Sequence, residues 1–206
     1  MKEIIWKLSL FVVLSVLFSG LTGCTRTATD GTEANTAEAN ANTATSTNKS
    51  SEYPPLASGL AEAEFELLDG SGKMKISDRK GKVLLLNIWG TWCGPCRAEM
   101  PHLVAMQNEY GDRGFEVIGL NIGDGSGGPE PIDKIKEFVE KMNLNYTIVI
   151  SPNASTIEFY KISRQQVVPQ TLLVDREGHL RGVFVGGGQR VFDSMKQTLE
   201  KTMNES

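Results

Sequence analysis

The sequence predicts an α/β fold, a mixed β-sheet flanked by helices. Three observations carry that expectation. Apolar runs of strand length alternate with runs of helical period along residues 53–206, which implies a sheet covered on both faces. Residues 82–89 are apolar almost without a break, the pattern of a strand buried on both sides. Ahead of it, Phe65-Glu66-Leu67-Leu68 and Lys73-Met74-Lys75-Ile76 flank the turn Asp69-Gly70-Ser71-Gly72 and read as an N-terminal β-hairpin.

The remaining elements follow in order. Residues 77–81 form a polar turn before the strand at 82–89. A helix is expected over 97–110, with Met100, Leu103, Val104 and Met106 at helical spacing. Pro101 lies inside it, removes one N–H and should kink it. A strand at 115–122 leads into a Gly/Pro loop at 123–131, which lacks the Lys-Ser/Thr of a phosphate loop. Ile132, Ile135, Phe138, Val139 and Met142 mark an amphipathic helix. A short strand at 146–150 and a short helix at 154–160 come next. Strands at 170–174 and 180–185 flank the turn Asp175-Arg176-Glu177-Gly178, and a helix at 191–203 closes the domain. Trp89 and Phe115 belong to the core; His102 and His179 read as surface histidines.

Composition bounds the rest. A formal net charge of −4 with no basic run argues against nucleic acid as a partner. Residues 1–23 read as a signal peptide: Lys2 and Lys7 precede an apolar core at 8–18, and small residues follow. That core is short for a membrane span, which needs about 20 apolar residues. Leu21-Thr22-Gly23-Cys24 resembles the bacterial lipobox, which implies that Cys24 carries a lipid; an uncleaved anchor and simple secretion are the competing readings. Residues 25–52 are rich in Thr, Ala, Asn, Ser and Glu, with no aromatic and no aliphatic side chain larger than Ala, so 24–52 reads as a disordered tether with a reach of about 30 Å. The domain occupies 53–206.

Three cysteines are present. With Cys24 lipidated, Cys93 and Cys96 remain, and no disulfide framework is possible. Their motif, Trp92-Cys93-Gly94-Pro95-Cys96, lies between a strand and a helix, where a CxxC pair is a redox motif. Cys93 is the expected nucleophile: a helix N-terminus favours its thiolate. Lowering a thiol pKa from ~8.5 to ~7 raises ionisation about 16-fold at pH 7, but the weaker nucleophile gives back roughly fivefold. The larger effect is on how readily the reduced form persists. A static disulfide or half of a metal site is the competing reading. Only two histidines exist and no second cysteine pair completes a zinc set, so neither a metal nor a cofactor is expected.

Three stretches resemble the extracytoplasmic thioredoxin-like family that includes ResA, TlpA and the cytochrome-c-maturation thioredoxins. They are Leu86-Asn87-Ile88-Trp89-Gly90-Thr91-Trp92-Cys93-Gly94-Pro95-Cys96-Arg97-Ala98-Glu99-Met100-Pro101, then Val167-Val168-Pro169-Gln170-Thr171-Leu172-Leu173-Val174-Asp175, and the hairpin with an extra helix–strand unit before Val168-Pro169. The resemblance implies a thioredoxin-like mixed sheet with an N-terminal hairpin and a central helix–strand insertion. It implies a thiol-disulfide oxidoreductase in which Cys93 attacks, Cys96 resolves, and Glu99 is a partly buried carboxylate that relays protons; a surface Glu is the alternative. Cytoplasmic thioredoxins carry a titratable Asp where Asn87 stands here. Pro169 would be cis, with the Val168 backbone offering hydrogen bonds to an extended target. Trp92 would shield the pair and line the target surface, or serve packing alone.

The implied role is reduction of protein disulfides outside the cytoplasm, at the membrane. Apocytochrome c, a surface methionine sulfoxide reductase and copper-handling proteins are the candidate targets, with cytochrome c biogenesis the commonest in the family. Electrons would come from a membrane thiol transporter of the CcdA/DsbD kind. A Cu(I)-binding module is a second class of reading, since thiolates suit Cu(I), but the wider cysteine spacing and dedicated His of such carriers are missing. The peroxiredoxin motif is also absent.

Overall fold

The computed structural model describes residues 52–205. The expected signal peptide, the lipidation site Cys24 and all but the last residue of the expected tether lie outside them. A short helix α1 (Ser58–Ala61) precedes the hairpin β1 (Phe65–Leu67) and β2 (Lys73–Met74). Then come β3 (Val83–Trp89), α2 (Gly94–Tyr110), β4 (Phe115–Asn121), α3 (Ile132–Lys141), β5 (Thr147–Ile150) and α4 (Asn153–Ser163). The chain closes with β6 (Gln170–Val174), β7 (Leu180–Val185) and α5 (Gln189–Glu205).

The seven strands form one sheet in the order β2-β1-β5-β4-β3-β6-β7. β3 pairs in parallel with β4 and antiparallel with β6, so the sheet is mixed. The inserted unit α3–β5 supplies the strand onto which the hairpin docks, through the antiparallel β1–β5 pair. All seven residues of β3 are buried, as expected of a central strand covered on both faces. Strand alternation sorts them. Val83, Leu85 and Trp89 join one core cluster with residues of α2, α3 and α5, while Leu84, Leu86 and Ile88 join the other with Leu60 of α1 and Phe159 of α4. Trp89 stacks on Phe138 with ring centroids 5.4 Å apart, which fastens α3 to the sheet.

Several boundaries differ from the sequence reading. The second hairpin strand stops at Met74, because Ile76–Arg79 winds into a 3₁₀ turn whose Asp78 carboxylate accepts the Lys75 N–H at 2.9 Å. The first long helix begins at Gly94 rather than residue 97, and it continues through Pro101. His102 is exposed but stacks on Phe192 of α5 at 4.1 Å. His179 is more covered than expected: its side chain is 20% exposed, with Nδ1 3.4 Å from the Asp175 carboxylate.

Gly119 of β4 sits in register between Asn87 and Ile148. A Cβ there would lie 2.8 Å from Ile148 Cδ1, 3.0 Å from Trp89 Nε1 and 3.1 Å from Tyr146 Cε2. Only a missing side chain lets those three groups close over the strand. Gly119→Ala should therefore overpack this face and cost about 1–3 kcal/mol, read as a lower urea midpoint. An unchanged midpoint would contradict this account of the packing.

Candidate active site

The strand-to-helix junction places the cysteines. β3 ends at Trp89, three residues cross its C-terminal edge, and Cys93 is the N-cap of α2. Its Sγ accepts the Cys96 N–H at 3.1 Å. A sulfur thus fills the place that a Ser or Asp oxygen usually takes, and Pro95 in the first turn needs no N–H partner. Cys93 and Cys96 form a disulfide with Cα atoms 5.3 Å apart. Both cysteines are buried, and Cys93, at the N-cap, is the one nearer the helix end.

Glu99 lies one turn further along α2, on its inner face, and is 1% exposed. The surface-Glu alternative is excluded. Asn87 Nδ2 donates to Glu99 Oε2 at 3.0 Å and to Thr171 Oγ1 at 3.0 Å. Thr171 Oγ1 lies 3.4 Å from Glu99 Oε1. Asn87 and Thr171 face each other across the β3–β6 ladder, so the sheet register builds this trio. Burial pushes the Glu99 carboxyl up to about 7, against the smaller opposing effect of the Asn87 and Thr171 hydrogen bonds. An acid that titrates near neutrality one helical turn from a disulfide is suited to giving and taking the protons of thiol exchange.

The rim is made by loops at the same sheet end. The Val168–Pro169 peptide bond is cis. Because Ile88 is opposite Gln170, Pro169 is level with Trp89, beside the exit of β3. Val168 is half-buried and packs against the cluster that contains both cysteines. The buried Gln170 amide donates to the carbonyls of Gln165 at 2.9 Å and Val167 at 2.7 Å, holding the loop before the proline. Pro169 O accepts from Gly186 N at 2.9 Å. Trp92 is 45% exposed and Val167 48%; Trp92 Nε1 donates to Gly123 O at 2.9 Å. Gln170 and Thr171 lie in the stretch 167–175, but nothing in the sequence alone pairs them with the 165–167 carbonyls or with Glu99.

The Glu99 environment carries a pH signature. Between pH 4.5 and about 7 the folded protein keeps a proton that the unfolded chain has released. Stability should therefore fall as pH rises through that window, by up to about 3 kcal/mol. Glu99→Gln cannot titrate and should lose that part of the slope. Urea titrations of both proteins from pH 4 to 8 check this, and parallel curves would contradict it.

Among the described residues no helix is long and apolar enough to cross a membrane. A sequence profile of the AhpC/TSA family matches residues 59–183. The chain is 32% identical over 141 residues to the thiol-disulfide oxidoreductase ResA of Geobacillus kaustophilus, covering 68% of this chain and 76% of that protein. It is 29% identical over 132 residues to ResA of Bacillus subtilis, covering 64% and 69%. Among solved structures it resembles a thiol:disulfide interchange protein of the thioredoxin family from Chlorobium tepidum, with a TM-score of 0.59, 20% identity and coverage of 73% and 95%. It also resembles the exposed lipoprotein thioredoxin Etrx1 of Streptococcus pneumoniae, with a TM-score of 0.54, 24% identity and coverage of 68% and 98%. These last two likenesses establish the thioredoxin-like fold. The chain belongs to the AhpC/TSA family and, within it, to the ResA-like thiol-disulfide oxidoreductases.

Proposed function

We propose that this oxidoreductase is a membrane-tethered, extracytoplasmic reductant of protein disulfides that works through a Cys93–Cys96 dithiol. The observation that carries the reading is the Cys93–Cys96 pair at the N-terminus of α2, with Cys93 as its N-cap and the buried Glu99 one turn beyond Cys96 on the same helix.

In the reduced protein, the Cys93 thiolate attacks one sulfur of a target disulfide. That bond breaks, a mixed disulfide forms, and the first target sulfur leaves as a thiolate that takes a proton. Cys96 then gives up its proton and attacks Cys93 Sγ. The mixed disulfide breaks, the second target thiolate leaves and is protonated, and the Cys93–Cys96 bond is restored. Two electrons and two protons pass to the target. Cys96 is fully buried, where its thiolate is costly to form; Glu99, poised near neutrality, is the base that accepts its proton. Trp92, the Val168 backbone and Pro169 form the surface on which an extended target segment lies.

Lipid at Cys24 and a tether over 24–52 would hold the domain at the membrane's outer face; the pneumococcal neighbour is itself named an exposed lipoprotein. The reduced state would be renewed by a membrane thiol transporter of the CcdA/DsbD kind. Apocytochrome c is the proposed target, because the ResA-like relatives belong to a family with cytochrome-c-maturation members.

Cys96→Ala leaves the mixed disulfide unresolved. In the native host it should accumulate covalent complexes with target proteins, absent from a Cys93→Ala control and released by reductant. Capture of an apocytochrome supports the proposed target, and capture of a sulfoxide reductase would replace it. No capture beyond the control would contradict the dithiol mechanism. Glu99→Gln should slow the resolving step at pH 7 by about 100-fold and remove the inflection near pH 7 from its rate profile. A stopped-flow profile unchanged in both respects would remove Glu99 from proton transfer.

A further inference from the structure

A second buried carboxylate is hydrogen-bonded to Thr91, two residues before Cys93. Glu130, in the loop before α3, is 4% exposed. Its Oε2 accepts the Thr91 N–H at 3.2 Å and the Asn121 amide at 2.9 Å. Its Oε1 accepts the Thr91 hydroxyl and the Lys134 ammonium, the latter at 2.9 Å. Burial pushes this carboxyl up, but the donors from Thr91, Asn121 and Lys134 together outweigh it and hold the pKa below the ordinary value. A buried charge is tolerated where several donors meet it.

The donors form a closed circuit. Asn121 Oδ1 accepts the Gly123 N–H at 3.0 Å, and Gly123 O accepts the Trp92 indole at 2.9 Å. Trp92 is bonded to Thr91, which returns to Glu130. Gly123 has φ +85°, and a Cβ there would lie 2.2 Å from Gly128 O, so only glycine closes this turn. The backbone of Gly125 also lies against the ring: a Cβ there would be 3.5 Å from Trp92 Cδ2. One carboxylate thus ties the strand exit, the glycine loop and the half-exposed indole next to Cys93.

We infer that Glu130 is a positioning residue that fixes Trp92 beside Cys93 and so presets the surface on which a protein target docks. This rests on the reading that Trp92 and Cys93 face the target. Fixing the ring before binding removes the ordering cost at the moment of contact, so its loss falls on KM rather than on kcat. A small disulfide that makes no contact with the ring gains nothing from it.

The test uses full-length protein, with insulin as the protein disulfide, 5,5′-dithiobis(2-nitrobenzoate) as the small disulfide and dithiothreitol as the electron source. Glu130→Ala should raise KM for insulin about tenfold with kcat little changed, and leave the rate with the small disulfide near the wild-type value. The acrylamide quenching due to Trp92, taken as the difference from Trp92→Phe, should rise toward that of a free indole. Glu130→Gln should restore most of both, since its carbonyl still accepts from Thr91 N and Asn121 while its amide donates to the Thr91 hydroxyl; Lys134, half exposed, turns to solvent. Thr91→Val, which removes one donor from an otherwise intact loop, should fall between.

The inference is overturned if Glu130→Ala, or Thr91→Val should the alanine variant not fold, leaves quenching and KM unchanged. It is also overturned if Gln and Ala variants lose the same activity, which would mark a role in folding alone. A wild type inactive on insulin, with Glu130→Ala still unmasking the indole, would remove the protein-disulfide reading and leave the positioning role standing.

Discussion

β3 is buried along its whole length, and the rest of the domain is arranged to keep it so. Its two neighbours run in opposite directions, β4 parallel and β6 antiparallel. Its two faces feed separate cores. A slip of one residue would exchange those faces, turning Asn87 away from α2 and into the apolar cluster that contains Leu60 and Phe159. The register that fills the core is therefore the same register that sets Asn87 against Glu99 and Thr171. Where the strand ends, the chain must reverse into α2, and Cys93 caps that helix with its own sulfur. Packing and site geometry come from one constraint.

Two carboxylates are buried near the pair, and the same physics moves their pKa values in opposite directions. Glu99 meets one amide and one weakly placed hydroxyl, at 3.0 and 3.4 Å. Desolvation wins, and its pKa rises to about 7. Glu130 collects an N–H, a hydroxyl, an amide and a lysine. The donors win, and its pKa falls. The number and charge of donors, more than depth alone, separates a group able to exchange protons from one that serves as a fixed anchor.

Much of this was legible in the sequence. The apolar period located every strand, because burial on one or two faces leaves a period that survives without coordinates: β6 and β7 fall on the expected 170–174 and 180–185. The CxxC pair and Glu99 were legible from spacing and resemblance. Helix starts were less so; α2 begins at Gly94 because a cysteine sulfur, an uncommon cap, satisfies the Cys96 N–H. The partners of the buried carboxylates were not legible at all. Thr171 is 72 residues from Glu99 and Glu130 is 39 from Thr91. Glu130, in a Gly/Pro loop with Lys134 four residues on, has the pattern of a solvated surface ion pair. Only the folded loop shows that its carboxylate points inward.

The most direct test of the account is the titration of Glu99 itself. Carbon NMR of the disulfide form, with the signal assigned by Glu99→Gln, would follow the carboxyl from pH 3 to 9. The account predicts a midpoint near 7, set by burial against the Asn87 and Thr171 hydrogen bonds. A midpoint near 4.5, the ordinary value for glutamate, would mean that the carboxylate is solvated or better paired than the geometry indicates, and the proton-transfer role built on it would fall.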